Sequence, residues 1–137
     1  MFTSLDISTS GLTAQRTRMD VIAGNIANAN VTEDAQGDPN PYRRRFTVFQ
    51  QGSQLGNDQG VQVAKVEQDQ SDFILKYDPG HRDAIKSGPQ AGNVRYPNID
   101  VGTEYVNAME ASQAYEANLA AYDLSKNMIS SSLRILA

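Results

Sequence analysis

The chain has 137 residues, 39% of them hydrophobic, and carries a formal net charge of −4. This length allows one ordinary domain or two small ones, and the acidic balance argues against a non-specific nucleic-acid binder. The absence of Cys excludes a disulfide framework and a thiolate metal site. The first residues lack the basic start and apolar run of a secretory signal. The sequence also contains no run of about 18 apolar residues, the length needed to cross a membrane. We therefore expect a cytoplasmic chain, or one exported without a cleaved signal.

Residues 1–30 predict one long helix. Their apolar residues recur seven positions apart, the period of a helix that packs along a partner. Thr3 or Ser4 is the predicted N-cap, and Gly11 is a predicted bend because Gly is a weak helix former. The Asn-rich end suits the left-handed backbone that terminates many helices. The apolar stripe consists of Leu5, Leu12, Met19 and Ile26, widened by Ile22.

Residues 31–99 predict a β-rich insert with loops. Gly and Pro make residues 31–42 a polar loop. Residues 42–78 change to a period of two and predict three strands in one small antiparallel sheet. Turn signals make residues 79–99 a second loop.

Residues 100–137 predict a second long helix, with Asp100 or Asn98 as its cap. Two rows of residues at seven-residue spacing form a heptad seam for a partner helix. The first helix is the natural partner, which makes the fold mainly α: the long terminal helices pair as an antiparallel coiled coil around a small β insert. The predicted units are residues 1–30 with 100–137, and residues 31–99. One seam row is Tyr105, Ser112, Leu119, Lys126 and Leu133, and the other is Ala108, Tyr115, Tyr122, Ile129 and Leu136.

The last helix has a second apolar stripe outside that seam. A helix that is apolar on most sides must be buried on most sides, and one partner helix covers one stripe only. This favours packing against further copies or close relatives, although the second stripe could instead dock on the chain's own β insert. The stripe consists of Val106, Met109, Ala117, Ala120, Leu124, Met128 and Ile135.

No pattern of catalytic or metal-binding residues is evident, so we predict no enzyme activity and no cofactor. The single His, His81, offers no metal quartet without Cys and reads as a solvated loop residue. The carboxylates Asp69, Asp72 and Asp78 lie near the third predicted strand, but nothing orients them as the acid pair of a hydrolase.

One basic cluster, Arg43-Arg44-Arg45, opens the first predicted strand. Successive strand residues point to opposite faces, so Arg44 should point away from its two neighbours. The cluster could bind phosphate, but an interface with acidic neighbours is the favoured interpretation.

Several motifs resemble the bacterial flagellar axial-protein family of rod, hook and hook-associated proteins. The segment from Ser10 to Thr32 is similar to the N-terminal motif of that family, whose hallmark is Asn25-Ile-Ala-Asn28-Ala-Asn30. Three further segments resemble its short proximal-rod branch in particular: Tyr42-Arg-Arg-Arg45, Tyr96-Pro-Asn-Ile-Asp100 and Glu110-Ala-Ser-Gln-Ala-Tyr-Glu-Ala-Asn118.

The resemblance implies a structural subunit of the proximal rod, located in the periplasmic part of the basal body. Such a subunit leaves the cell unprocessed through the flagellar type III export apparatus. It polymerises helically through its terminal helices into a shaft that transmits motor torque to the hook and filament and lines the export channel. The implied neighbours are other copies of the chain, FlgB, FlgF, the adaptor FliE and the distal-rod protein FlgG.

The predicted assembly interface combines the helix stripes, the Asn motif and the basic cluster. Two other interpretations stay open: a soluble coiled-coil adaptor or export chaperone, and another short rod protein of the FlgB type. The interface residues are Leu5, Leu12, Met19, Ile22, Asn25, Ile26, Asn28, Arg43, Arg44, Arg45, Tyr105, Ala108, Met109, Tyr115, Leu119, Tyr122, Leu124, Met128, Ile129, Leu133 and Leu136.

Overall fold

The computed structural model describes residues 2–52 and 59–136. It confirms a mainly α fold in which two long terminal helices enclose a small antiparallel β region. Most of the predicted turn between the first two strands lies outside the described residues. The elements in chain order are α1 (Phe2–Ala27), β1 (Arg45–Gln51), β2 (Val61–Gln68), β3 (Ile74–Tyr77), β4 (Asn93–Tyr96) and α2 (Val101–Leu136).

Helix α1 differs from the prediction at both ends. It begins at Phe2, so Thr3 and Ser4 lie inside the helix and the predicted caps are wrong. It ends at Ala27, and no described residue other than Gly has a positive φ, so no Asn adopts the left-handed backbone. Instead, the Asn28 side chain donates to the Gly24 carbonyl at 2.8 Å and satisfies an acceptor of the last turn.

The β region forms two separate hairpins, and the prediction of one three-stranded sheet is wrong. Strand β1 pairs with β2, with an irregularity between Val48 and Phe49. Strand β3 pairs with β4, which falls in a segment that was predicted to be a loop. The turn-forming residues Gly92 and Pro97 on either side of β4 led to the loop prediction. Gly92, with φ of 84°, precedes the strand and leaves room for the Tyr77 ring, which a Cβ at this position would meet at 2.8 Å.

Helix α2 begins as predicted at a carboxylate cap, and the cap is Asp100. One carboxylate oxygen of Asp100 accepts from the Gly102 amide at 3.1 Å, and the other accepts from the Thr103 hydroxyl at 2.6 Å. The first of these bonds satisfies one of the amides that a helix start leaves without an intrahelical partner.

The described core is small, and its residues come from α1 and the turn after it, from α2 and from the segment in and after β4. Hairpin β1–β2 rests on α1, where the Val61 amide donates to the Ser10 hydroxyl at 3.1 Å. Among the described helices and strands, α2 lies against α1 alone, so the second stripe of α2 does not dock on any of the four described strands. The described buried hydrophobic residues are Ala14, Ile22, Ala29, Val94, Ile99 and Ala111.

Candidate assembly surface and the polar junction behind it

Helices α1 and α2 run antiparallel in close contact. Arg18 forms an ion pair with Glu110 at 3.2 Å, and a Cβ added at Gly11 would lie 2.9 Å from the Asn118 amide nitrogen. Gly11 therefore allows close approach of the two helices, and α1 runs through it as a single helix. The predicted bend at this residue stays a prediction.

The face of α2 that contacts α1 differs from the predicted seam in one of its two rows. The predicted row from Tyr105 is replaced by the row from Glu104, one residue earlier. The row from Ala108 lies on the covered side, with Tyr115, Tyr122 and Ile129 half-buried. The side chain of Leu136 lies outside the described part of the chain. The companion row on the covered side is Glu104, Ala111, Asn118, Ser125 and Ser132. Small and uncharged polar side chains fill most of it, which suits helices that approach closely.

The row predicted from Tyr105 is exposed instead, and this part of the seam prediction is wrong. Tyr105 is 58% exposed, Leu119 is 42% exposed and Leu133 is 62% exposed. Ser112 and Lys126 in the same row are exposed as well. Apolar spacing alone did not distinguish the covered face of the helix from the neighbouring open one.

The second stripe of α2 is also open. Met109 is 59% exposed, Leu124 and Met128 are each 63% exposed, and Ile135 is 84% exposed. We call this set, together with Tyr105, Leu119 and Leu133, the open face of α2. Large apolar side chains that share one face mark an interaction site more often than a solvent surface.

The open face continues past the end of the partner helix. At 1.5 Å per residue, the 36 residues of α2 span about 54 Å and the 26 residues of α1 about 39 Å. Because Gly11 faces Asn118, the start of α1 lies near residue 127. The last turns of α2, which include Leu133 and Ile135, therefore extend beyond α1.

A buried polar junction ties the helices to the β insert. Asn25 is fully buried, and its amide group bonds to the backbone of Arg45 in both directions, donating to the carbonyl at 2.8 Å and accepting from the N–H at 2.9 Å. The same amide nitrogen donates to Glu104 at 3.0 Å. Asn25 thus joins α1, the start of β1 and the start of α2.

Glu104 completes this junction from α2. Its carboxylate is 1% exposed and receives two bonds from the Arg44 guanidinium, from Nε and from Nη2, both at 2.8 Å. A buried carboxylate that is paired and hydrogen-bonded avoids most of the cost of losing water. No sequence pattern singled out Glu104, because an acidic residue in the first turn of a helix is ordinarily solvated.

The basic cluster separates into three environments. Arg44 contacts Glu104 in the junction. Arg43 lies over the Phe73 ring at 4.4 Å, and Arg45 lies over the Tyr42 ring at 5.3 Å. Arg44 therefore makes its contacts within the chain, and Asn25 and Ile22 are buried within the chain as well.

Three aspartates have pKa values below the usual range. The hydroxyl and amide of Ser71 lower the pKa of Asp69, aided by Arg44 and Arg43. The Thr32 hydroxyl is the main cause of the lowered pKa of Asp83. The Thr103 hydroxyl and the Gly102 amide lower that of Asp100. Each of these carboxylates stabilises local structure in its ionised form.

The residues considered for chemistry are placed in structural roles. His81 is half-buried, and its Nδ1 accepts from the Asp83 amide at 3.1 Å. Within residues 2–52 and 59–136, no group of three His, Asp or Glu side chains could hold a metal ion. None of the described helices is both long and apolar enough to cross a membrane.

Two family models match the parts of the chain that build this hairpin. Residues 5–36 match the model for the flagella basal body rod protein. Residues 90–135 match the model for the C-terminal region of the flagellar basal body rod FlgEFG proteins. The paired terminal helices and these two matches place the chain among the flagellar basal-body rod proteins.

Full-length relatives define the family more closely. The flagellar basal-body rod protein FlgC of Borreliella burgdorferi is 41% identical, over 99% of this chain and 97% of its own length. FlgC of Bacillus subtilis is 40% identical over 98% and 97%, and FlgC of Salmonella typhimurium is 38% identical over 95% and 93%. The chain belongs to the FlgC family of flagellar basal-body rod proteins. Because this family is structural, membership supports the prediction that the chain is not an enzyme.

Proposed function

We propose that this rod subunit carries motor torque by burying the open face of α2 between neighbouring subunits. As a member of the FlgC family, the chain is a structural component of the basal-body rod and assembles with itself and with other rod components. The observation that carries the proposal is the open face itself, whose large apolar side chains have no cover within the described chain.

The physical gain from covering this face is substantial. Full burial of a Leu or Met side chain contributes about 1.5–3 kcal/mol, and several such residues lie along one helix. Contacts of this kind repeat in every subunit, so a shaft built from them is stiff although each contact is weak. Interfaces between unlike surfaces that do not close into a ring generate helical filaments, which is the geometry that a rod requires.

The two parts of the chain have different proposed positions in this assembly. Residues 1–30 and 100–137 form the axial core and line the export channel, and residues 31–99 lie outside that core. The hairpin of α1 and α2 supports this division, because it is the longest element and carries the open face. The proposed neighbours are FlgB, FlgF, FliE and FlgG, besides further copies, and the chain passes through the type III export apparatus in transit.

The proposed interface is centred on α2. Leu5, Leu12, Met19 and Ile26 of α1 are half-buried and form a secondary row on the same hairpin. The proposed interface also includes five further residues, none of which is fully buried. They are Asn28, Arg43, Arg45, Ala108 and Leu124.

A charge on the open face tests the proposal. We expect Leu119→Asp, and separately Leu133→Asp, to be exported but absent from isolated basal bodies, because an unpaired charge buried between subunits costs several kcal/mol. The matched controls are Leu119→Met and Leu133→Met, which keep an apolar side chain at the same positions. Normal rods and normal motility in the Leu119→Asp strain would overturn the proposal.

A further inference from the structure

A cleft of about 460 Å³ separates the loop after α1 from the loop before β4. Two contacts hold its walls together. The Thr32 hydroxyl donates to Asp83 at 2.8 Å, and Arg82 forms an ion pair with Glu33. Thr32 and the Asp83 side chain are both at least nine-tenths buried. The cleft is thus a defined feature of the fold, formed by two loops with polar contacts between them.

The cleft carries an excess of positive charge. Its charged lining groups are Arg82, Asp83, Lys86 and Arg95, and Arg82 already pairs with Glu33 and Asp83. Lys86 and Arg95 are exposed, and neither forms an ion pair with any described residue. The cleft therefore presents two cations that are available to an acidic partner.

The spacing of these cations is known from the local backbone. Ile85 and Asn93 are joined by a hydrogen bond of 2.9 Å, and Ile85 also accepts from the Gly92 amide at 2.9 Å. Lys86 therefore lies beside Gly92, the residue before β4. Arg95 follows about three strand residues later, or about 10 Å along the strand.

We propose that the cleft binds the carboxylates Glu116 and Asp123 on α2 of a second copy of the chain. Both are exposed, and neither forms an ion pair within the described residues. They lie seven positions apart, so they project from one side of the helix about 10.5 Å apart. This separation of helix positions matches the separation of the backbone positions of Lys86 and Arg95, and the charges are complementary.

The chain's own carboxylates cannot reach the cleft. Both walls join the hairpin at the end where α2 begins, next to Asp100. Glu116 and Asp123 lie about 24 Å and 35 Å further along a rigid helix. Binding therefore requires another copy displaced along the hairpin by about 30 Å. This inference rests on the proposed function, which supplies the neighbouring copy, and it adds a contact between the β insert of one subunit and α2 of the next.

Charge reversal in intact basal bodies tests this contact. We expect Lys86→Glu with Arg95→Glu to reduce the amount of the chain in isolated rods by about fivefold or more, since two attractive pairs become repulsive. Adding Glu116→Lys and Asp123→Lys to the same chain should restore incorporation. The matched control adds Asp20→Lys and Asp72→Lys instead, which restores the same net charge at other exposed carboxylates.

Two results would overturn the inference while leaving the proposed function intact. One is unchanged incorporation of the chain that carries Lys86→Glu and Arg95→Glu. The other is equal rescue by the control substitutions Asp20→Lys and Asp72→Lys. Absence of the unaltered chain from rods would instead contradict the proposed function.

A cross-linking measurement covers the case in which the reversed chain fails to fold. The sequence has no Cys, so Arg95→Cys combined with Glu116→Cys or Asp123→Cys gives the only thiols in the chain. We expect a disulfide-linked dimer in intact rods from at least one of these pairs, and none from Arg95→Cys with Asp20→Cys. A cross-link to a different rod protein, or no cross-link, would exclude a second copy as the occupant.

Discussion

At the scale of single residues, Glu104 holds the helices to the β insert. It is nearly inaccessible to water. Its partner Arg44 directly precedes β1, and its partner Asn25 lies in α1. Asn25 suits its position because an amide both donates and accepts, and the Arg45 backbone presents one group of each kind. The Asn motif thereby acquires a physical role in joining three elements.

Removing the Glu104 carboxylate should destabilise the chain. We expect Glu104→Ala to lower the free energy of unfolding by about 2–3 kcal/mol, since it leaves the partly buried Arg44 without its anion. The control is Glu110→Ala, which breaks the exposed pair with Arg18 and should cost less than about 1 kcal/mol. Urea unfolding followed by circular dichroism measures both, and equal losses would contradict the role of the junction.

Acid should weaken the loops and the start of α2. Folding lowers the pKa of Asp69, Asp83 and Asp100, so each stabilises the fold fully above its ordinary value near 3.8. This contribution is lost as pH falls below that value. We therefore expect stability to fall on acidification below about pH 4, and a smaller fall in Asp69→Asn. A slope that is identical in Asp69→Asn would contradict the assignment.

The polar junction could be predicted only in small part from the sequence. The Asn motif and Arg44 were recognised, but they were assigned to contacts between subunits. Glu104 was not singled out, because its burial depends on where a distant strand begins. Long-range polar pairing of this kind leaves no periodic signal in the sequence.

At the scale of elements, the hairpin depends on close approach at Gly11. The Asn118 side chain occupies the space that a Cβ at Gly11 would need, and its amide also donates to the Ala114 carbonyl at 2.9 Å. At this point the two helices thus pack through a glycine and a short amide.

A double-mutant cycle tests this packing. Gly11→Ala should not show the gain of about 1 kcal/mol that helix propensity predicts, because the new methyl group must displace Asn118. In an Asn118→Ala background, the same substitution should show that gain, as coupling between touching residues predicts. Thermal unfolding of the four chains gives the coupling energy, and an equal gain in both backgrounds would show that the helices are not in contact here.

The elements themselves were largely predictable, and their partners were less so. Period and composition gave both long helices and strands β1 to β3. They missed β4, which lies between the turn-forming residues Gly92 and Pro97, and so β3 was assigned to the wrong sheet. One of the two predicted seam rows, the row from Tyr105, was displaced by one residue from the row that contacts α1. This happened because the most apolar positions of α2 lie on the face that α1 does not contact.

At the scale of the whole molecule, the difference between the predicted seam and the observed contact face of α2 shows which side of the subunit is left uncovered. The chain covers a row that contains Ala111, Asn118 and Ser125, while Met109, Met128 and other large apolar residues stay open. The sequence predicted that one helix partner would not suffice, and none of the described strands packs against α2 as a second partner. The cationic cleft was not predictable, because it depends on the relative placement of two irregular loops.

Protection of Met109 and Met128 is the most direct test of the open face as a subunit interface. Peroxide oxidises accessible methionine to the sulfoxide, and mass spectrometry locates the product. We expect both residues to be oxidised readily in the isolated chain, where they are 59% and 63% exposed, and to be protected in intact basal bodies. Rods dissociated before peroxide treatment provide the control and should lose the protection. Equal oxidation of both methionines in isolated chain and intact rods would contradict burial of this face.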